Sequence, residues 1–256
     1  MNFITAAYTD IGIKKSTNQD SLLIQQAETD YGTVLLSVMC DGMGGLAKGE
    51  VASACVIRMF SSWFQNELPQ LLYSGFKQET LRQSWDNLIF RACSAVKGYG
   101  ERCGISLGTT CAALLIIGDA YYILNVGDSR IYLISDDVYQ LTKDQTYVQR
   151  EMDANRMTYE QSLVDPQRSV LLQCIGASNV VEPDYYVGSV MPEQSFLLCC
   201  DGFRHVVDPA EFYQYLNPSA AKDKETMREN LQYLTELNKQ RQETDNISAA
   251  LIRTCR

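Results

Sequence analysis

Histidine is almost missing from this sequence: His205 is the only one in 256 residues. A serine- or cysteine-based mechanism needing an imidazole, or a histidine-rich zinc site, would have to be built around that one ring. Basic charge is also short. Lys and Arg number 22 against 31 Asp and Glu, giving a formal net charge of −9 at pH 7 and a pI near 4.7. That balance argues against DNA or RNA as a partner, because such binding rests on a surface that neutralises phosphates. An acidic chain also repels anions at long range, so a bound phosphate would require bound cations to reverse the local field. No stretch approaches about 18 consecutive apolar residues, and the N-terminus lacks the basic-then-apolar layout of a signal peptide. The expectation is a soluble, cytoplasmic protein without membrane insertion. None of the nine cysteines stands in a Cys-x-x-Cys pair. Cys40, Cys111, Cys199 and Cys200 lie inside apolar runs, where cysteine behaves as a small buried hydrophobe. This fits a reducing compartment, with neither a disulfide framework nor a structural zinc site.

What is present is ample apolar material, 46% of the residues, enough for a sizeable core in one domain spanning residues 1–256. Strand-like runs occupy Phe3 to Tyr8, Ser21 to Gln26 and Thr33 to Cys40. The period then changes to that of helices over Gly49 to Leu68 and Glu79 to Tyr99, with a break at Pro69 and Gly75. Strands resume at Thr109 to Ile117, Tyr121 to Val126, Arg130 to Ser135 and Val138 to Leu141, spaced for antiparallel hairpins and too close for βαβ crossovers. A polar excursion, residues 142–183, carries a helical pattern at Thr146 to Asp153. Strands at Tyr185 to Val190 and Phe196 to Cys200, helices at Pro209 to Leu216 and Lys224 to Arg241, and a strand at Ile247 to Ile252 complete the pattern. Two blocks of strands, each followed by paired helices, predict an α+β sandwich with sheets inside and helices outside.

Aspartates sit at the ends of these runs. Val34 to Cys40 leads into Asp41-Gly42-Met43-Gly44-Gly45, Ser195 to Cys200 into Asp201-Gly202, and Tyr121 to Val126 into Gly127-Asp128-Ser129-Arg130. Asp245-Asn246 opens the run Ile247 to Ile252, and Asn18-Gln19-Asp20 precedes Leu22 to Ile24. A strand-ending Asp-Gly is either a turn or a ligand position, since both residues favour turns and glycine lets the backbone approach an ion. If the strands share one edge, the carboxylates converge and repel one another unless a cation neutralises them. Convergence therefore implies metal. Thr109 and Thr110 fit hydroxyls that satisfy nearby backbone groups. Asp128-Ser129-Arg130 could also serve as the turn of a hairpin.

Taken in order, these motifs, together with Gly12 and Gly108-Thr109-Thr110, resemble the metal-dependent serine/threonine protein phosphatases of the PPM, or type 2C, family. The likeness covers nearly the whole chain. Residues 141–176, with Pro166-Gln167-Arg168 and Cys174-Ile175-Gly176, resemble the flap of the bacterial members. The resemblance implies a four-layer α-β-β-α sandwich, two central antiparallel sheets flanked by helices. It implies that Asp41 bridges two divalent ions, with Asp201 and Asp245 completing one site and the Gly42 carbonyl helping to form the other. Asp20 would hold a metal-bound water, and Asp128 with Asp201 would line a third, weaker position. Oxygen donors select Mg²⁺ or Mn²⁺. The implied activity is hydrolysis of phosphoserine and phosphothreonine in proteins, without a phosphoenzyme, in signalling that sets the enzyme against a serine/threonine kinase and its substrates.

Three positions depart from the family pattern. Lys15 stands where an arginine usually grips the substrate phosphate, and lysine supplies the charge without the two-pronged geometry. Gln19 replaces a metal-site glutamate, and His205 an aspartate of the third ion position. His205 is open to three readings: ligand, proton donor or packing residue. Asn246 lies beside Asp245 as a further candidate. These departures motivate a rival reading, a binding or regulatory module that keeps the fold and is catalytically weak or inactive. A phosphatase of a small phosphorylated metabolite would differ in substrate only.

Overall fold

Alternation decides the layers. The computed structural model describes residues 1–43 and 48–255, so Gly44 and Gly45 of the glycine motif lie outside the described residues. Strands β1 (Asn2–Asp10), β2 (Asp20–Thr29) and β3 (Gly32–Asp41) precede helices α1 (Gly49–Asn66), α2 (Leu68–Tyr73) and α3 (Gln78–Cys103). Then come β4 (Cys111–Ile117), β5 (Ala120–Val126), β6 (Arg130–Ile134) and β7 (Val138–Gln140), followed by α4 (Tyr147–Asp153) and α5 (Tyr159–Val164). β8 (Asp184–Ser189), β9 (Ser195–Cys199), α6 (Asp201–Arg204), α7 (Pro209–Leu216), α8 (Lys224–Gln240) and β10 (Ile247–Cys255) follow. Two five-stranded antiparallel sheets result, ordered β1-β10-β9-β6-β7 and β2-β3-β4-β5-β8.

β3 and β4 are apolar on both faces because both are covered. Leu35, Met39, Ala112, Leu114 and Ile116 face the opposing sheet, where they join Phe196, Leu198, Ala250 and Ile252 in one cluster. Their neighbours Val34, Leu36, Val38, Cys40, Ala113 and Leu115 face α1 and α3, meeting Phe60, Trp63, Trp85 and Leu88. The Trp63 and Trp85 rings lie 5.8 Å apart, and Trp63 Nε1 donates to Ser84 Oγ at 2.8 Å, which satisfies the one polar atom of a buried indole. On the outer face of the other sheet α7 and α8 bury Phe212, Leu216, Met227, Leu231 and Leu234. The α+β sandwich expected from the strand and helix blocks, in the four-layer α-β-β-α form that the resemblance implies, is the fold observed.

Two local expectations change. The first helix ends at Asn66, and Pro69 sits in the first turn of the separate helix α2 rather than in a plain break, because a proline needs no N–H there. β5 and β6 belong to different sheets, so Gly127-Asp128 is not a hairpin turn: the chain crosses there from one sheet to the other. The excursion at 142–183 is tied to the rim by an isolated bridge from Ile175 to Thr109 and closed on itself by another between Thr146 and Leu171. Among the described residues no helix is long and apolar enough to cross a membrane.

Candidate metal centre

Strand register begins the centre. In the β2–β3 hairpin Asp20 pairs directly with Asp41, which places both carboxylates on the same side of the sheet rim. Asp41 is fixed by the threonines: its N–H donates to Thr110 Oγ1 at 2.9 Å, and its carbonyl accepts from Thr109 Oγ1 and from Thr110 N–H, each at 2.9 Å. Both hydroxyls thus have the structural role expected of them. Gly42 N–H donates to the Gln19 carbonyl at 3.1 Å. The backbone is so crowded there that a β-carbon on Gly42 would fall 2.4 Å from the Gly49 oxygen and 2.6 Å from the Gln19 oxygen, a space only glycine fits.

The other sheet supplies the remaining acids. Asp201 opens α6, which is held from below by Phe203 stacked on Phe212 at 5.7 Å and from the side by Asn238 Nδ2 donating to the Phe203 carbonyl at 3.0 Å. Gly202 packs on the turn before β10, where a β-carbon would sit 2.2 Å from the Asn246 oxygen. Asn246 clamps that turn to the loop after β1. Its Oδ1 accepts from Gln19 N–H at 2.9 Å, and its Nδ2 donates to the carbonyls of Ile11 at 2.9 Å and Thr17 at 3.2 Å. Asn246 is therefore a hub that joins the segments carrying Lys15, Asp20 and Asp245.

An Asp20 oxygen, an Asp41 oxygen and the Cys200 sulfur all lie within 4.8 Å of one another. Both Asp20 oxygens and Asp201 Oδ1 are buried without a hydrogen-bond partner, a costly state for carboxylates unless a cation answers it. Burial foremost, and the charges of Asp20, Asp201, Asp128 and Asp245 after it, push Asp41 well above the usual carboxylate range. Burial raises Asp20 to about 7, the nearby Ser248 hydroxyl and Cys200 thiol opposing it and the charges of Asp201 and Asp245 adding to it. Burial likewise drives the Cys200 thiol well above its ordinary value, and its sulfur is already engaged, donating to the Asn246 carbonyl at 3.4 Å and accepting from Ser248 N–H at 3.1 Å. Crowded, orphaned, anionic oxygens fit a hard divalent cation.

Around this core the cations and the single histidine take up definite positions. Lys15 Nζ lies 2.7 Å from Asp245 Oδ1. Its pKa is raised, since the hydrogen bond and charge of Asp245, with Asp41 and Asp201, outweigh burial. His205 bridges two acids, Nε2 at 3.5 Å from Asp201 Oδ2 and Nδ1 at 3.2 Å from Glu243 Oε2. Glu243 in turn accepts from the N–H of Thr244 at 2.6 Å and of Asp245 at 2.9 Å. Gln19 turns its amide to Glu50, Nε2 to Oε2 at 3.4 Å. Asp128, raised to about 7 by burial and then by Asp201, lies against Arg204, whose Nη2 is 3.1 Å from its carbonyl and 3.4 Å from its Oδ2.

Asp20 and Asp41 thus meet at the Cys200 sulfur, and Asp201, Asp128 and Asp245 lie near enough for their charges to act on Asp41. Cys200, Arg204, Glu243, Asp144 and Glu50 were not foreseen. Arg204, three residues after Asp201, and Glu243, two before Asp245, stood close enough in sequence to draw notice. Nothing in the sequence singled out Asp144 or Glu50.

The helix-flanked sandwich is shared with known proteins. Residues 13–236 match the family model described as Protein phosphatase 2C. The chain belongs to the protein phosphatase 2C family. It is 33% identical over 181 residues to the serine/threonine protein phosphatase PstP of Mycobacterium tuberculosis, a match covering 70% of this chain and 32% of that relative. The chain therefore spans about a third of that relative's length. The structure of Stp1 from Staphylococcus aureus superposes with a TM-score of 0.85 at 26% identity, covering 99% of this chain and 95% of that one. The catalytic domain of PstP in complex with two manganese ions superposes with a TM-score of 0.78 at 27% identity over 99% of each chain.

Proposed function

We propose that this chain is a Mg²⁺- or Mn²⁺-dependent phosphatase of phosphoserine and phosphothreonine in proteins. The observation that carries the reading is the convergence of Asp20, Asp41, Asp201 and Asp245 with three of their buried oxygens unpartnered. Two structural relatives that share the fold are serine/threonine phosphatases, and one of them holds two manganese ions. Asp41 would be shared by two ions, Asp201 and Asp245 would complete one site, and the Gly42 carbonyl would serve the other with Asp20 in support. Bound there, two such ions would acidify a water and neutralise charge on the phosphoryl oxygens.

The chain's own residues position and exclude. Thr109 and Thr110 hold the main chain of Asp41 in place through three hydrogen bonds, each 2.9 Å long, which fixes the point from which its carboxylate projects. Lys15, with 29% of its side chain exposed, is a cation that would turn from Asp245 toward a substrate phosphate. Its flexible stem permits that swing, and its single charge fixes the phosphate less sharply than a guanidinium would. The excursion at 142–183, bridged to Thr109 through Ile175, borders the site and would contact the protein substrate. Phosphoproteins, and a kinase that makes them, are the partners this activity implies, and a cytoplasmic location suits them. The third, weaker ion position between Asp128 and Asp201 that the resemblance implies is not carried into this reading, because Arg204 Nη2 lies 3.4 Å from Asp128 Oδ2.

The test is phosphate release from a phosphothreonine peptide with Mn²⁺, wild type beside Asp41→Asn and an EDTA control. Turnover abolished in both controls supports the reading. Wild-type protein that binds Mn²⁺ without releasing phosphate favours a binding module, the alternative to which the engagement of Lys15 by Asp245 lends weight. Turnover of small phosphorylated metabolites but not the peptide would move the substrate class alone.

A further inference from the structure

We infer that Arg204 is a built-in counter-cation for Asp128, so that the chain holds two divalent ions and turns a third away. The inference rests on the two-ion reading of the centre. Asp128 and Asp201 are neighbouring acids, and side by side in a buried place they demand positive charge. The chain supplies it. Arg204 Nη2 donates to the Asp128 carbonyl at 3.1 Å and lies 3.4 Å from Asp128 Oδ2 and 3.4 Å from Asp144 Oδ2, with only 10% of the Arg204 side chain exposed.

The guanidinium is not free to leave. Asp144, its second acid, is gripped by Arg130 through two parallel hydrogen bonds of 2.7 Å, Nε to Oδ1 and Nη2 to Oδ2. Arg130 also donates to Tyr132 Oη at 3.0 Å. The result is a buried chain, Asp128, Arg204, Asp144, Arg130, in which each charge is locked by the next. Arginine cannot shed its proton in a protein, so this positive charge is permanent. On the Asp201 side the His205 ring occupies the approach and is tied at its other nitrogen to Glu243. A divalent ion at this position would meet a fixed guanidinium and would have to share an already bonded carboxylate.

Lys15 shows the contrast. Its ammonium also rests on an acid of the centre, but on a flexible stem with 29% of its side chain exposed. That cation can exchange with an ion, whereas Arg204 is held from two sides.

The experiment is a titration of the metal-free full chain with Mn²⁺, reading free ion by electron paramagnetic resonance, which does not depend on turnover. Wild type is expected to take up two ions and Arg204→Gln three. Asp128→Asn, which deletes the acid without adding a charge beside Asp201, is expected to keep two ions at wild-type affinity. It decides the matter even if Arg204→Gln does not fold. Three ions on wild type, two on a folded Arg204→Gln, or one lost from Asp128→Asn would each overturn the inference and leave the phosphatase reading standing. Fewer than two ions on wild type would remove the two-ion centre itself, and this inference with it.

Discussion

Replacing Asn246 with alanine should loosen the centre without touching a carboxylate. The side chain is 3% exposed and makes three hydrogen bonds, from Gln19 N–H and to the carbonyls of Ile11 and Thr17. Each such bond contributes about 1 kcal/mol net, and stranding the buried Gln19 N–H adds a desolvation cost of about 1–3 kcal/mol. The whole loss should be about 4–6 kcal/mol, before any relaxation that lets water reach the two carbonyls. For a chain of this size that lowers the melting temperature by roughly 8–24 °C. The measurement is urea and thermal unfolding of wild type and Asn246→Ala, both in EDTA so that bound ions do not mask the difference. A loss under about 1 kcal/mol, within the range of an ordinary surface substitution, would refute the view that Asn246 joins the three segments.

Two other outcomes follow from the charges. Burial alone would raise Asp144, but the Arg204 and Arg130 guanidiniums hold it below the ordinary carboxylate range. Its ion pairs therefore add stability above the unfolded carboxylate pKa of about 3.9 and lose it as pH falls through the folded value. Asp144→Asn should be less stable than wild type at neutral pH, with the gap closing in acid, and urea midpoints showing an unchanging gap would contradict this. Lys15→Ala should raise KM for a phosphothreonine peptide while changing kcat little, and an unchanged KM takes Lys15 out of the phosphate's reach.

Much of the architecture was legible because burial on both faces writes itself into composition. The apolar runs of β3 and β4 could be strands under cover on each side and little else, and the helical faces of α1 and α3 showed in the spacing of Trp63, Trp85 and Leu88. Aspartates at strand ends announced a shared rim, because a sandwich brings strand ends together. Side-chain partnerships were not legible. Arg204 meets Asp128 across 76 positions and Gln19 meets Asn246 across 227, and no local period encodes such pairs. α6 escaped notice because four residues are too few to display a helical repeat. Cys200 read as one more buried apolar residue, and burial is what it shows. Its closeness to Asp20 and Asp41 arises only when the two sheets face each other.

The acids are divided between the sheets: Asp20 and Asp41 on β2 and β3, Asp201 and Asp245 at the ends of β9 and β10. A folding intermediate with one sheet formed would carry half the ligands and could bind an ion only feebly. Ion affinity is therefore a gauge of sheet-on-sheet docking, an event of high contact order that comes late. If docking is incomplete at the folding barrier, added metal would slow unfolding and leave the folding rate almost unchanged. The ions would then lengthen the lifetime of the assembled protein rather than guide its assembly.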